Sequence, residues 1–299
     1  MRDQTLQKLI ASYREDASGD SRTRWIAQCG RFFASPERPS VLTALSSSAC
    51  VVLHGSTTRN VDDGCSDLDF YLLLDDAGLA LFDSACATRF VDVSIDGKAG
   101  HLNPILFDDV RSAFAQPDLE TIYELQHAVP VLDPSDRFAA LRRRAMEPMS
   151  ESIRRAALMF NYMEMRRFHR SADNPLDRHD ELAALSNVVD TINSAIRCAI
   201  ILDGRAYPYA KWLYVAASGL PMGALVLEQV DHILHLIRTN PSALKGPERD
   251  NEISKSLRRM RTAIVDRAKA TGIDEPWLTQ WWHFFAEQKS VFDGVAWSV

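Results

Sequence analysis

The hydrophobic positions along this chain change rhythm near its middle. Before residue 133, short apolar runs alternate with amphipathic stretches; after about 148 almost only helical spacing is left. Leu6, Leu9, Ile10 and Tyr13 form a stripe that predicts a helix over 3–15. A second helix is expected over 22–34, ending before Pro36, and Pro39-Ser40 opens a short third one. Strands are expected at 50–54, over Leu68–Leu74, over Arg89–Asp96 and from His101 to Phe107. Asp75-Asp76 starts a helix that runs to about Cys86, and Asp108-Asp109 caps another to about Ala115. Residues 117–126 read as helical, and 128–132 as a short edge strand because of Pro130. The later helices are predicted at 149–170, 179–203, 208–218, 221–238, 249–271 and 275–290, with one further strand pattern at the C-terminus. The fold class is therefore α+β: a small mixed-sheet domain over 1–147, then an all-α helical bundle domain over 148–299.

The densest chemistry lies in CVVLHGSTTRNVDDGCSDLDFYLLL, residues 50–74. An apolar strand ends in Gly55-Ser56, and Asp67 and Asp69 open the next strand. Side chains alternate along a strand, so both carboxylates share a face, with Cα atoms about 7 Å apart. Two such carboxylates can converge on one hard cation; magnesium takes one or two of them together with substrate phosphates. Gly55 removes the Cβ that would block a phosphate, and Ser56 adds a hydroxyl at a helix start. Thr57, Thr58 and Arg59 extend that donor surface, and the polar stretch from Asn60 to Ser66 joins the halves.

Phosphoryl transfer with two metals about 3.5–4 Å apart needs a further carboxylate. Asp92 sits within an apolar stretch, where a charge is costly unless paired or metal-bound. It is expected to be the third ligand or the base that activates the acceptor hydroxyl. Asp96, beside Gly97, reads as a turn residue.

Gly55, Ser56, Asp67 and Asp69 resemble the signature of the DNA polymerase β-like nucleotidyltransferase superfamily, with Asp92 matching its third carboxylate. The match covers about residues 50–96. The order of elements is similar to that of the kanamycin and lincosamide nucleotidyltransferases. The resemblance implies magnesium-dependent transfer, with two ions, of a nucleoside monophosphate from ATP or another nucleoside triphosphate to a hydroxyl, releasing pyrophosphate. It implies Asp67, Asp69 and Asp92 as metal ligands and Gly55 and Ser56 as nucleotide-binding residues; Arg59, Ser66 and Lys211 are further nucleotide-binding candidates from their positions, with a solvated loop arginine the alternative for Arg59. The kanamycin enzyme carries its general base, a glutamate, on the first long helix of the second domain. Asn161 falls near that place, and Glu164 lies one turn on. The base is then Glu164 or Asp92. The acceptor implied is a small hydroxylated molecule such as an antibiotic. The alternatives are a toxin-like enzyme that modifies tRNA or protein, and a non-catalytic antitoxin or binding module.

Composition narrows this further. A net charge of −6 gives no global basic field for a long nucleic acid, although a local patch would suffice for a tRNA end. Five scattered cysteines without a C-x-x-C pattern read as free, largely buried thiols of a cytoplasmic protein. No run approaches the ~18 apolar residues of a membrane span, so no membrane partner is expected. The oligomeric state is open between monomer and homodimer. The aromatic and cationic segment Leu202–Leu213 is balanced between a substrate-contacting loop, with Lys211 reaching the triphosphate, and a packed turn. Arg142-Arg143-Arg144 reads as a solvated helix face, and His169 and His179 as flanking a polar loop.

Overall fold

In the computed structural model described here, residues 19–45, 49–59, 61, 66–115, 118–240, 242–247 and 251–285 are described. The helix expected at 3–15, Cys65, most of the Asn60–Ser66 stretch and the C-terminal strand pattern lie outside them. The chain divides between Glu147 and Pro148 into two compact units.

In the first unit, helices α1 (Gly19–Ala34) and α2 (Ser40–Leu45) precede strand β1 (Cys50–His54). A single helical turn, α3 (Ser56–Arg59), follows, then β2 (Leu68–Leu74) and α4 (Asp76–Ala85). Asp75 caps α4 by accepting from the Gly78 N–H. Strands β3 (Val91–Ile95) and β4 (Lys98–Leu106) form a hairpin. Its two central residues, Asp96 (φ 49°) and Gly97 (φ 80°), are both left-handed, as the favoured two-residue hairpin turn requires. Helices α5 (Phe107–Ser112) and α6 (Leu119–His127), strand β5 (Val129–Leu132) and α7 (Arg137–Ala145) complete the unit.

The five strands lie in the order β3-β4-β2-β1-β5. Only β2 and β4 run parallel; the other neighbours are antiparallel. Alternation along β1 and β2 sorts their side chains between two cores. Val51, Leu53, Leu68, Phe70, Leu72 and Leu74 pack with Phe33, Leu42 and Phe82. Cys50, Val52 and Leu73 pack with Phe107, Leu125, Phe138 and Leu141 from α5, α6 and α7. Asp69 shares the face of Leu73. Burial on that face grades from the fully buried Leu73 to the partly exposed Asp69 and the exposed Asp67.

The second unit has no strand among its described residues. It comprises α8 (Glu151–Asp177), α9 (Glu181–Leu202), a 3-10 turn (Ala210–Trp212), α10 (Leu213–Ser218), α11 (Pro221–Thr239), α12 (Glu252–Ala270) and a 3-10 turn (Pro276–Leu278). Helix α8 runs past the expected stop at 170 and takes Pro175 into its last turns. His169 therefore sits inside a helix, buried, rather than beside a loop. At 275–290 a continuous helix was expected; the described part opens instead with the 3-10 turn that buries Trp277 completely. Among the described residues, α9 has the length and mean hydropathy (1.3) to cross a membrane, and most of that window (61%) is buried inside the unit.

Candidate active site

A row of side chains crosses four strands. His54 on β1 is in register with Asp69 on β2, Asp69 with His101 on β4, and His101 with Asp92 on β3. Directly opposed residues on neighbouring strands share a face, so all four side chains leave the sheet on one side. Asp67, two residues before Asp69, joins them.

His101 stands at the centre of the exposed half. Its Nε2 is 3.0 Å from Asp67 Oδ2, and its Nδ1 is 3.0 Å from Asp92 Oδ1. The ring also lies against Phe90, with centroids 4.4 Å apart. Asp92 is not the costly buried charge that its apolar flanks suggest. Val93 and Ile95 turn to the core, and the Asp92 side chain is 84% exposed. It also stands on the edge strand, with β4 between it and the strand of Asp69.

The inner half of the row closes on the Gly55 turn. Gly55 has φ +81°, and a Cβ placed on it would lie 2.4 Å from Asp69 Oδ2. The carboxylate thus rests where any other residue would put a side chain. Thr58 Oγ1 donates to the Gly55 carbonyl at 3.1 Å, which ties the turn to α3. Ser56, Thr57 and Thr58 are all buried, and Thr57 Oγ1 and His54 Nε2 have no hydrogen-bond partner among the described residues. Burial pushes the Asp69 pKa up; His54 counters this, while the charges of Asp67 and Glu124 add to it.

Glu124 on α6 supports this turn from below. It accepts from Arg59 Nη1 and lies 3.7 Å from His54 Nδ1. Burial alone would raise its pKa, but His54 and Arg59 together hold it below the ordinary carboxylate range. His54 stacks on Tyr71, with centroids 3.7 Å apart and planes within 10°. Arg59, expected on the donor surface of the turn, is 3% exposed and held by Glu124. Its guanidinium anchors α3 from inside the unit.

Among the described residues no three His, Cys, Asp or Glu side chains already converge to hold a metal ion. The donor set nevertheless suits a divalent cation. Asp67 and Asp69 offer hard carboxylate oxygens on one face, and Asp69 is a partly buried anion, crowded by like charge, whose cost a cation would relieve. Ser66 immediately precedes Asp67 and is partly buried.

The remaining candidates belong to the helical unit. Glu164 is bound by Arg167 through two hydrogen bonds one turn along α8. Asn161 is buried and donates to the Ala157 carbonyl and to Tyr207 Oη. Lys211 is exposed on its 3-10 turn, its Nζ 4.8 Å from the Trp212 ring centroid. Tyr209 Oη accepts from Trp212 Nε1 at 2.7 Å, and Arg197 lies over Tyr207. Two of these aromatics are therefore already engaged within the turn.

Two residues of the site, His101 in the row and Glu124 on α6, are not marked by the sequence reading. His101 had a signal: counting outward from the Asp96-Gly97 turn places it opposite Asp92. Glu124 had none, since its partner Arg59 is 65 positions away.

Residues 115–213 match a family model described as a domain of unknown function, DUF4037. That region contains Glu124 and the whole of α8 and α9, but neither Gly55 nor the Asp67/Asp69 pair. No curated protein matches the chain. Eleven solved chains do. One is a nucleotidyltransferase-like protein from Exiguobacterium sibiricum 255-15, with 7% identity over 82% of this chain and 75% of that one, at a TM-score of 0.46.

Proposed function

We propose that the sheet unit is the catalytic centre of a nucleotidyltransferase. It transfers a nucleoside monophosphate from a triphosphate, ATP first, to a hydroxyl of a small acceptor such as an aminoglycoside- or lincosamide-like molecule. The observation that carries this reading is the closure of Asp69 on Gly55. A left-handed glycine opens a helical turn at the point where the second carboxylate of a D-x-D strand comes to rest. A phosphate-admitting turn and an acidic strand are thereby brought together by β1–β2 pairing, in the register His54 to Asp69.

Each residue then has a task. Asp67 and Asp69 would hold magnesium, which supplies charge neutralisation at the phosphates. Gly55 lets the triphosphate approach the backbone, and the Ser56 hydroxyl lies at the start of α3 beside it. Arg59 and Glu124 keep α3 in place, so the turn needs no reorganisation when a nucleotide binds. Asp92 and Glu164 are the two candidates for the base that takes the acceptor's proton. The pH profiles of kcat/KM for Asp92→Asn and Glu164→Gln separate them. The net charge of −6 favours a small acceptor over a long nucleic acid.

The test is label transfer. Protein, magnesium and α-labelled triphosphates are offered aminoglycosides, lincosamides, total tRNA and a protein lysate, with Asp69→Ala as control. Label on a small molecule, lost in the variant, is the expected result. Label on tRNA or protein alone would replace the acceptor class. Equal label in wild type and variant would contradict the assigned centre.

A further inference from the structure

The strand beside the D-x-D strand is β4, not β3, and the β4 residue in register with Asp69 is a histidine. We infer that His101 is a nitrogen ligand of the divalent-cation site, oriented by Asp92, and that the site prefers Mn2+ to Mg2+. This rests on the proposed function, since it concerns the ion that Asp67 and Asp69 would share.

Three observations support it. The first is placement. Neighbouring strands lie about 4.8 Å apart, so the backbone of Asp92 is roughly 10 Å from that of Asp69, while that of His101 is half as far. Of the two, His101 is the residue positioned to complete a set with Asp67 and Asp69. The second is distance. His101 Nε2 and Asp67 Oδ2 are 3.0 Å apart. Two neighbouring ligands of an octahedral ion with bonds of about 2.1 Å stand about 3 Å apart. The third is orientation. Asp92 Oδ1 is 3.0 Å from Nδ1, the other ring nitrogen. An N–H at Nδ1 directed to a carboxylate leaves the Nε2 lone pair facing the ion, the arrangement by which outer carboxylates orient metal-bound imidazoles. Asp69 Oδ2 is the oxygen held against Gly55, which leaves Oδ1 as the ligand that closes the set.

A mixed oxygen and nitrogen set changes the choice of ion. Magnesium takes oxygen ligands almost exclusively, whereas affinity for imidazole rises along the first-row transition ions. Mn2+ accepts both donor types and is the closest of these to magnesium in its use of carboxylates. The acidic pair would bind either ion; His101 would distinguish them.

The experiment titrates the full chain with Mn2+ alone, followed by electron paramagnetic resonance, with Mg2+ as competitor. The imidazole resonances are read by NMR in parallel. Wild type is expected to bind Mn2+ at least about tenfold more tightly than Mg2+, with selective broadening of the His101 ring signals. His101→Ala should lose about 10–100-fold in Mn2+ affinity, and Asp92→Asn about tenfold. His101→Asp should bring the two ions close to parity. His101 is partly exposed, so circular dichroism should report these variants folded. Unchanged Mn2+ affinity in His101→Ala, with binding lost in Asp69→Ala, would overturn the His101 assignment and leave the proposed function standing. Binding that survives Asp69→Ala would contradict both.

Discussion

Gly55 and Asp69 occupy one another's space: a methyl group on Gly55 would sit 2.4 Å from the Asp69 carboxylate oxygen, and 3.2 Å from its carboxyl carbon. Gly55→Ala must therefore swing the carboxylate aside as well as hold φ at +81°. The backbone strain costs about 1–2 kcal/mol, which a two-unit chain tolerates. The displaced carboxylate costs more in function, and transfer should fall on the order of 100-fold. Thermal unfolding and turnover measured side by side check this; a large loss of stability with normal turnover in the folded fraction would oppose it.

Glu124 and Arg59 form a buried ion pair beneath the same turn. Glu124→Ala removes one charge and leaves the other in the interior, at a cost of about 3 kcal/mol. Glu124→Gln retains a hydrogen-bond acceptor and should cost less. Urea unfolding of both variants gives the comparison. Equal stability of wild type and Glu124→Ala would show that the pair does not hold α3.

Burial, ahead of the charges around it, raises the Asp69 pKa. A carboxyl whose folded pKa is raised contributes stability below its unfolded value of about 3.8, and that contribution is lost as pH rises through the folded value. At pH 7 the charged form therefore weighs on the ion-free fold. Asp69→Asn should raise Tm at pH 7 while abolishing transfer, and the gain should vanish in acid. A lower Tm at pH 7 would place Asp69 among structural residues instead.

In the helical unit, burial and then the charges of Arg261, Arg258 and Arg166 push the His169 pKa down to about 4, from 6.5. The unfolded chain takes up a proton below pH 6.5 that the folded chain refuses until about pH 4. Stability should therefore fall across that window, by at most roughly 1.4 kcal/mol per pH unit. His169→Gln should flatten the profile between pH 6.5 and 4. An unchanged slope would mean that other groups set the acid sensitivity.

Much of this was legible in the residues themselves. Gly55, Asp67 and Asp69 stand out because the chemistry needs particular residue types at close range within one hairpin. Period-two alternation fixes β1 and β2, and the loss of strand patterns after Leu132 marks where the sheet ends. The apolar flanks of Asp92, Val91 and Val93, suggest a buried charge when the sequence alone is read. Alternation turns those two toward the core and leaves the carboxylate in solvent. Arg59 looked like a phosphate contact because local sequence does not reveal a partner on α6. Helix α8 outruns its expected stop at 170 because a proline near a helix end, as at Pro175, costs less than one at the centre.

Asp67, Asp69 and the Gly55 turn are proposed to form one nucleotide site. Calorimetric titration of ATP, with and without a divalent ion, into wild type and Asp67→Ala/Asp69→Ala tests it without knowledge of the acceptor. Wild type is expected to bind in an ion-dependent way, and the variant at least about tenfold more weakly. Binding of equal strength in both proteins, or binding indifferent to the ion, would contradict it.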